Sequence, residues 1–341
     1  MRSLLFVLAT IGLFTTCTEK ENQSLAVQLK NASTPPQVYT IKQNTATTIT
    51  TKGGIKLYLP PNLFVLENGE KPEEPFQLEI KDVFKKSEMI LNTLSTVSDG
   101  HLLETFGMMY IQATANGKNL KIKKGEAITI SIPNTIGKHD GELFYGAQVG
   151  QTINWNYAGT TRDTIRFEET KVPLSNGKEK INRTTYRYKN GYKEFISDTI
   201  LLVKRNFILE GDSSYDTSSY SIESYEFNIT QLGWINCDRF AEISEKIDCT
   251  IIIEEYSQPL GYLVFKNINS VMPVLFNKNG KATLQGLPKA YTAQLIILDK
   301  IKGKHRWANQ IIKIGELSAY SVKTQPDTFE NILKEIRNVD K

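Results

Sequence analysis

Histidine is nearly missing from this chain: 341 residues hold only His101, His139 and His305. Cysteine is as scarce, limited to Cys17, Cys237 and Cys249. Imidazole is the usual general base and metal ligand near neutral pH, and catalytic zinc takes three protein ligands. His101 with Glu104, and His139 with Asp140 and Glu142, fall short of a full ligand set, and all three histidines lie in Gly- or Asp-flanked, turn-like stretches. Gly-x-Ser-x-Gly, His-Glu-x-x-His and a P-loop are missing as well. So is a calcium loop, although Asp212 and Asp216 in the polar stretch 211–219 could hold a cation weakly. These gaps argue against an enzyme and give no reason to expect a cofactor or a metal. The net charge is only +4 and the basic residues are dispersed, so nucleic acid is not an expected partner. Beyond the N-terminus no stretch of about eighteen apolar residues remains to cross a bilayer.

What is present is concentrated first in residues 1–21, MRSLLFVLATIGLFTTCTEKE. Arg2 precedes an apolar run from Leu4 to Leu13, and Phe14-Thr15-Thr16 then leads to Cys17. A bilayer-spanning helix needs roughly twenty apolar residues, so this run is too short to be an anchor by itself. It has the layout of an export signal with a cysteine at the cleavage point, and Phe14-Thr15-Thr16-Cys17 resembles a bacterial lipobox with Phe in place of Leu. The expectation is a signal peptide over 1–16 and a mature chain anchored to the outer membrane through acylated Cys17, on its periplasmic or its surface face. Three acyl chains hold far more firmly than the single chain that binds only marginally. Thr18-Glu19-Lys20-Glu21 then reads either as a surface-export signal or as a charged tether. Residues 17–36 are polar and end in Pro35-Pro36, the composition of a spacer.

From Gln37 the chain is expected to be all-β: two antiparallel β-sandwich domains, an irregular β-rich middle segment and a short C-terminal helix. Ile55–Leu59, Phe76–Ile80, Met108–Ala115 and Ala127–Ile132 carry strand-like segments divided by turn signals at Asn68-Gly69, Asn116-Gly117 and Lys124-Gly125. Closely spaced strands with turns between them indicate a first sandwich over 37–135. Residues 136–231 are less regular and rich in Tyr, Thr and charge. A second sandwich is expected over 232–322, from strands at Cys249–Ile253, Gly261–Phe265, Val274–Phe276 and Tyr291–Leu298. In the tail, 323–341, Asp327-Thr328-Phe329-Glu330 has the form of a capping box, and Phe329, Ile332, Leu333 and Ile336 fall on one helical face, a stripe expected to pack on its own domain.

Three segments carry a family likeness. Residues 54–133 contain a proline-bounded strand at Pro60-Pro61, Ser87-Glu88-Met89-Ile90-Leu91, Leu102-Leu103-Glu104-Thr105 and Ala115-Asn116-Gly117-Lys118. This stretch resembles the ZU5-like β-sandwich region of exported Bacteroidota proteins. LGWINCDRF, 232–240, looks like a recurrent signature of the same lipoproteins. NGKATLQGLPKAYTAQLIIL, 279–298, is similar to the hairpin of carboxypeptidase-regulatory-like or transthyretin-like sandwiches. The resemblance implies an interaction or scaffold module whose partner is an envelope protein or a glycan, since fold does not settle function.

The candidate site residues follow from these readings. Cys17 is the lipid attachment point. Cys237 and Cys249 could pair as a disulfide in an exported chain, or lie apart as two buried thiols. Trp234, Tyr186, Tyr188 and Tyr192 are candidates for a binding surface, against the plainer reading that Trp234 sits in a core and the tyrosines alternate on half-buried strands. Asp238 and Arg239 read as a structural pair or a turn cap. The functional expectation is a non-catalytic envelope lipoprotein; a carbohydrate-binding accessory of an outer-membrane uptake system is the alternative.

Overall fold

The computed structural model describes residues 23–42, 44–136, 141–150, 152–158, 164–174, 178–189, 192–206 and 219–341. Its first element is helix α1 (Leu25–Ala32). The strands β1 (Gln37–Ile41), β2 (Thr47–Thr50), β3 (Lys56–Leu59), β4 (Phe64–Leu66) and β5 (Phe76–Val83) follow, then helix α2 (Lys86–Leu91). Next come β6 (Val97–Ser98), β7 (His101–Ala115), β8 (Lys118–Ile122), β9 (Ile128–Pro133), β10 (Glu142–Val149) and β11 (Thr152–Tyr157). A run of long strands, β12 (Thr164–Pro173), β13 (Lys178–Lys189), β14 (Tyr192–Asn206) and β15 (Ser219–Ile229), precedes β16 (Gly233–Phe240). The remainder holds β17 (Lys246–Ile253), β18 (Leu260–Phe265), β19 (Val271–Val274), β20 (Lys281–Pro288), β21 (Thr292–Ile301), β22 (Lys304–Lys313), β23 (Ala319–Val322), β24 (Gln325–Pro326) and helix α3 (Phe329–Asn338).

The all-β expectation holds. A nine-stranded sheet with the central path β1-β5-β7-β16-β10-β11 faces a seven-stranded sheet ordered β12-β13-β14-β15-β9-β3-β2. Leu57, Ile80, Phe106, Ile111, Ile130, Tyr225, Phe227 and Ile235 from the two sheets share one buried core. Strands β3 and β9 bury every second residue: in β3, Leu57 and Leu59 point in and Lys56 and Tyr58 point out. A smaller sandwich pairs the three-stranded sheet β20-β17-β23 with the five-stranded sheet β19-β18-β21-β22-β24 around Ile251, Leu263, Phe265, Leu295 and Ile297. Its β17–β23 pair is parallel.

The two sandwiches are joined by a third core rather than by a linker. Leu103 and Met108 of β7, Phe144 of β10 and Trp155 of β11 pack with Tyr262 and Val264 of β18, Ile296 and Leu298 of β21, and the apolar faces of α1, α2 and α3. β7 is buried without interruption from Leu102 to Met109, and β21 from Ala293 to Asp299. A strand loses its alternation this way only when both of its faces are covered. Backbone bonds cross the junction: Thr96 N–H donates to Val271 O at 2.8 Å and Thr105 N–H to Asn269 O at 2.9 Å. The Thr96 hydroxyl also lies 2.6 Å from the Ser270 hydroxyl. The Trp155 indole N–H donates to Ser95 O at 2.5 Å within the same region.

Several expectations need correction. The stretch expected to be a tether, 17–36, contains an ordered helix: α1 forms inside it, capped by the Ser24 hydroxyl, which accepts from Val27 N–H at 3.4 Å. Its Leu25 and Leu29 are buried in the junction core, a pair four residues apart that supplies the apolar stripe of a short helix. Within the described residues the middle segment is more regular than expected. β12 to β15 form an antiparallel meander with register shifts only at Thr185/Tyr186 and Leu202/Val203. The signature strand β16 belongs to the first sandwich, inserted between β7 and β10. The tail helix does form, with Thr328 rather than Asp327 as its N-cap: the Thr328 hydroxyl accepts from Asn331 N–H at 3.2 Å, while Asp327 takes the Asn331 side-chain amide at 3.0 Å. Its buried Ile332 and Ile336 serve the shared junction core rather than one domain.

Candidate functional site

Among the sequence candidates, Cys17, His139, Asp140, Asp212 and Asp216 lie outside the described residues. Cys237 and Cys249 are not bridged; they are buried in different cores, Cys237 in the first sandwich and Cys249 in the second, which removes the disulfide alternative. Burial pushes the Cys249 thiol above its ordinary range. Trp234 is half-buried, tilted on Tyr110 at 5.2 Å between ring centres and packed beside the junction core. Tyr186 and Tyr188 stand on β13 and Tyr192 on β14. The register pairs Tyr188 with Lys193 and Lys189 with Tyr192, so alternation puts position 192 on the opposite sheet face from positions 186 and 188. The three therefore do not share one face.

His101 is exposed and meets the Phe240 ring edge-on at 6.1 Å, while Glu104 is committed elsewhere. Glu104 Oε2 accepts from both Nε and Nη2 of Arg239 at 2.8 Å, with both side chains nearly buried. Arg239 also reaches Glu242 at 3.3 Å. Beside this pair Asp238 is fully buried; its Oδ2 accepts from the Asn236 amide at 2.6 Å and its Oδ1 has no partner. Desolvation pushes its carboxyl up to about 8, against the opposing pull of hydrogen bonds from Thr105 and Asn236, with the Glu104 charge adding to the rise. Across the junction Lys86 donates to Phe265 O, and burial, with Lys266 adding to it, lowers its ammonium to about 8. The Glu104–Arg239 pair ties β7 to β16 within the first sandwich, and Lys86 ties α2 to β18 of the second. His305 is likewise structural: its Nε2 lies 2.8 Å from Gln28 Oε1 and its ring stacks on Phe329. No group of three or more His, Cys, Asp or Glu among the described residues could hold a metal ion.

A groove of about 460 Å³ lies elsewhere, at the edge of the second sandwich. One wall is the Tyr256–Tyr262 segment entering β18; the other is Pro273–Lys278, leaving β19; Thr93 and Thr152 of the first sandwich close it. Two glycines seat its aromatic rings. A Cβ on Gly261 would lie 2.7 Å from Val274 Cβ and 2.9 Å from the Phe276 ring. At Gly280, with φ +66°, a Cβ would collide with the Tyr256 ring. The Tyr256 hydroxyl is further held by donating to Lys278 O at 2.7 Å. Leu275 stands at the rim, 70% exposed, because β19 ends at Val274 and the apolar run continues past it.

Two threonines among the groove's lining residues are unusual. Thr93, buried and β-branched, holds φ +55°, a conformation that costs such a residue about 1–3 kcal/mol and persists only where the surroundings impose it. The Thr152 hydroxyl is buried with no hydrogen-bond partner. The groove walls are mixed, with rings and aliphatic side chains beside Ser257, Gln258, Asn277 and Lys278, and the lining contains no histidine, cysteine or carboxylate. The sequence signal for it was weak: Tyr256-Ser257-Gln258-Pro259-Leu260-Gly261-Tyr262 reads as a turn and a strand start, and nothing in it points across space to Thr93 or Thr152. The chain matches no protein-family model, no curated protein and no solved structure.

Proposed function

We propose that this chain is a cell-envelope lipoprotein, anchored in the outer membrane through acylated Cys17, whose role is non-catalytic binding of an envelope protein partner. The observation that carries the binding role is the groove between Tyr256–Tyr262 and Pro273–Lys278, with Leu275 presented at its rim. Its volume suits a few side chains of an extended or looped protein segment, and an exposed leucine beside immobilised aromatics is the composition of an interface centre. The ZU5-like and transthyretin-like resemblances support the same reading, since such modules serve interactions.

Two variants of the native, membrane-extracted protein test it separately. Cys17→Ala should abolish incorporation of radiolabelled palmitate and release the protein from membranes; unchanged labelling would refute the anchor. Leu275→Asp replaces a 70% exposed side chain and should leave the thermal midpoint within a few degrees of the parent. It should also reduce recovery of co-purifying partners at least ten-fold, and undiminished recovery would remove the groove from the binding role.

A further inference from the structure

The order of α1 limits how far the body can stand from Cys17. Described structure starts at Gln23, six residues beyond Cys17, and α1 starts at Leu25. Six residues span roughly 20 Å at full extension. The start of α1 is not free to swing. Leu25 and Leu29 are buried, Gln28 meets His305 at the start of β22, and the Arg337 guanidinium donates to Ala32 O at 3.2 Å. Gln23, Ser24 and Leu25 share one depression with Lys300 and Gly303 of the β21–β22 hairpin. The chain therefore leaves the body toward Cys17 beside that hairpin.

The hairpin tip is basic and built in an uncommon way. Ile301 pairs with Lys304, and the two residues between them, Lys302 and Gly303, have φ +50° and +79°. Both signs are those of a type I′ turn, whose first position favours Asn, Asp or Gly. Lysine there accepts a backbone conformation that asparagine takes more readily. Lys302 and Lys304 are exposed, and Lys300 adjoins them. The nearby acids are engaged: Asp299 is buried on the N–H groups of Ser257, Gln258 and Lys300, and Glu255 pairs with Arg306 at 3.2 Å.

We propose that the β21–β22 turn is the membrane-facing end of the molecule, with Lys302 and Lys304 against the phosphates of anionic lipid headgroups. The proposal rests on acylation of Cys17. The anchor holds the body within about 20 Å of the bilayer, and the lysines select which face turns to it. Each lysine near an anionic surface is worth roughly a five-fold bias, screened by salt within a Debye length of about 8 Å.

The lipidated full chain carrying Lys302→Cys tests this on vesicles of phosphatidylcholine alone and of phosphatidylcholine with phosphatidylglycerol. Cys237 and Cys249 are buried, so an impermeant maleimide reads position 302. On the anionic vesicles labelling should be at least five-fold slower than on neutral ones, with the difference erased by high salt. Equal rates on both vesicles overturn the proposal while leaving the anchor intact. A chain that neither sediments with vesicles nor carries a diacylglyceryl mass at Cys17 overturns both, and mass spectrometry tells the two failures apart. Lys302→Asn with Lys304→Gln retains a turn-compatible residue and should remove the preference of the lipidated chain for anionic over neutral vesicles. An unchanged preference in that variant also refutes the assignment.

Discussion

Asp238 in the first sandwich and Asp299 in the second are both almost completely removed from solvent, yet their surroundings differ. Asp299 accepts from Ser257 N–H at 2.6 Å, Gln258 N–H at 3.1 Å and Lys300 N–H at 2.7 Å. Ser257 and Gln258 lie in the bend before β18, where backbone N–H groups are available, and Lys300 N–H adjoins Asp299 in β21. Asp238 lies mid-strand in β16, where the ladder to β7 and β10 uses backbone donors. It is left with the Asn236 side-chain amide on one oxygen and no partner on the other, and its carboxyl is pushed up to about 8. A buried carboxylate is tolerated where a bend brings backbone donors to it; within β16, next to the register shift at Cys237/Asp238, it favours the protonated acid, and in β7 Glu104 has a cation of its own in Arg239.

The largest effect that can break this comparison is expected at that cation. Arg239→Met leaves Glu104 buried without its partner and should cost about 3–5 kcal/mol in urea unfolding. Because Leu103, Met108, Ile296 and Leu298 share one core, Trp155 and Trp307 should report the loss in a single transition. A loss below ~1 kcal/mol would mean water reaches the pair. Asp299→Ala should cost less, about 1–3 kcal/mol, since Ser257 and Gln258 are exposed and water can replace part of what the carboxylate accepts. A cost equal to that of Arg239→Met would erase the distinction between the two environments.

Asp238→Asn sharpens the comparison through pH. The folded-state carboxyl titrates at about 8, well above the value of about 4 expected in an unfolded chain. Its protonated form therefore favours the fold fully below about pH 4, and that contribution is lost as pH rises toward about 8. Asparagine cannot ionise, so the variant should gain stability relative to the parent as pH is raised from 5 to 8. Parallel stability curves for the two proteins over that range would show Asp238 already ionised in the fold.

Legibility followed how local each signal was. The strand of Lys56–Leu59 and the helix of Phe329–Asn338 were readable because a period of two or of 3.6 is written in neighbouring residues. The start of β7 was not, since Leu102-Leu103-Glu104-Thr105 has no alternation; Glu104 and Thr105 sit at buried positions because their partners Arg239 and Asn236 come from β16. α1 was hidden inside a polar stretch, its Leu25 and Leu29 too few to announce a helix until the junction core covers them. The groove was least legible of all, since Thr93, Thr152, Gly261 and Phe276 meet only in the folded chain.

The sequence by itself determined the all-β character, most of the turn positions and the C-terminal helix, all of which rest on propensities and spacings within a few residues. The short apolar run at the N-terminus and Cys17 set the expectation of a lipid anchor in the same local way. Only the tertiary structure decided that β16 joins the first sandwich, that Cys237 and Cys249 stand in separate cores, and that the two sandwiches are one body. Those outcomes depend on which second surface covers a strand, and a covering surface is supplied by residues far away in the chain.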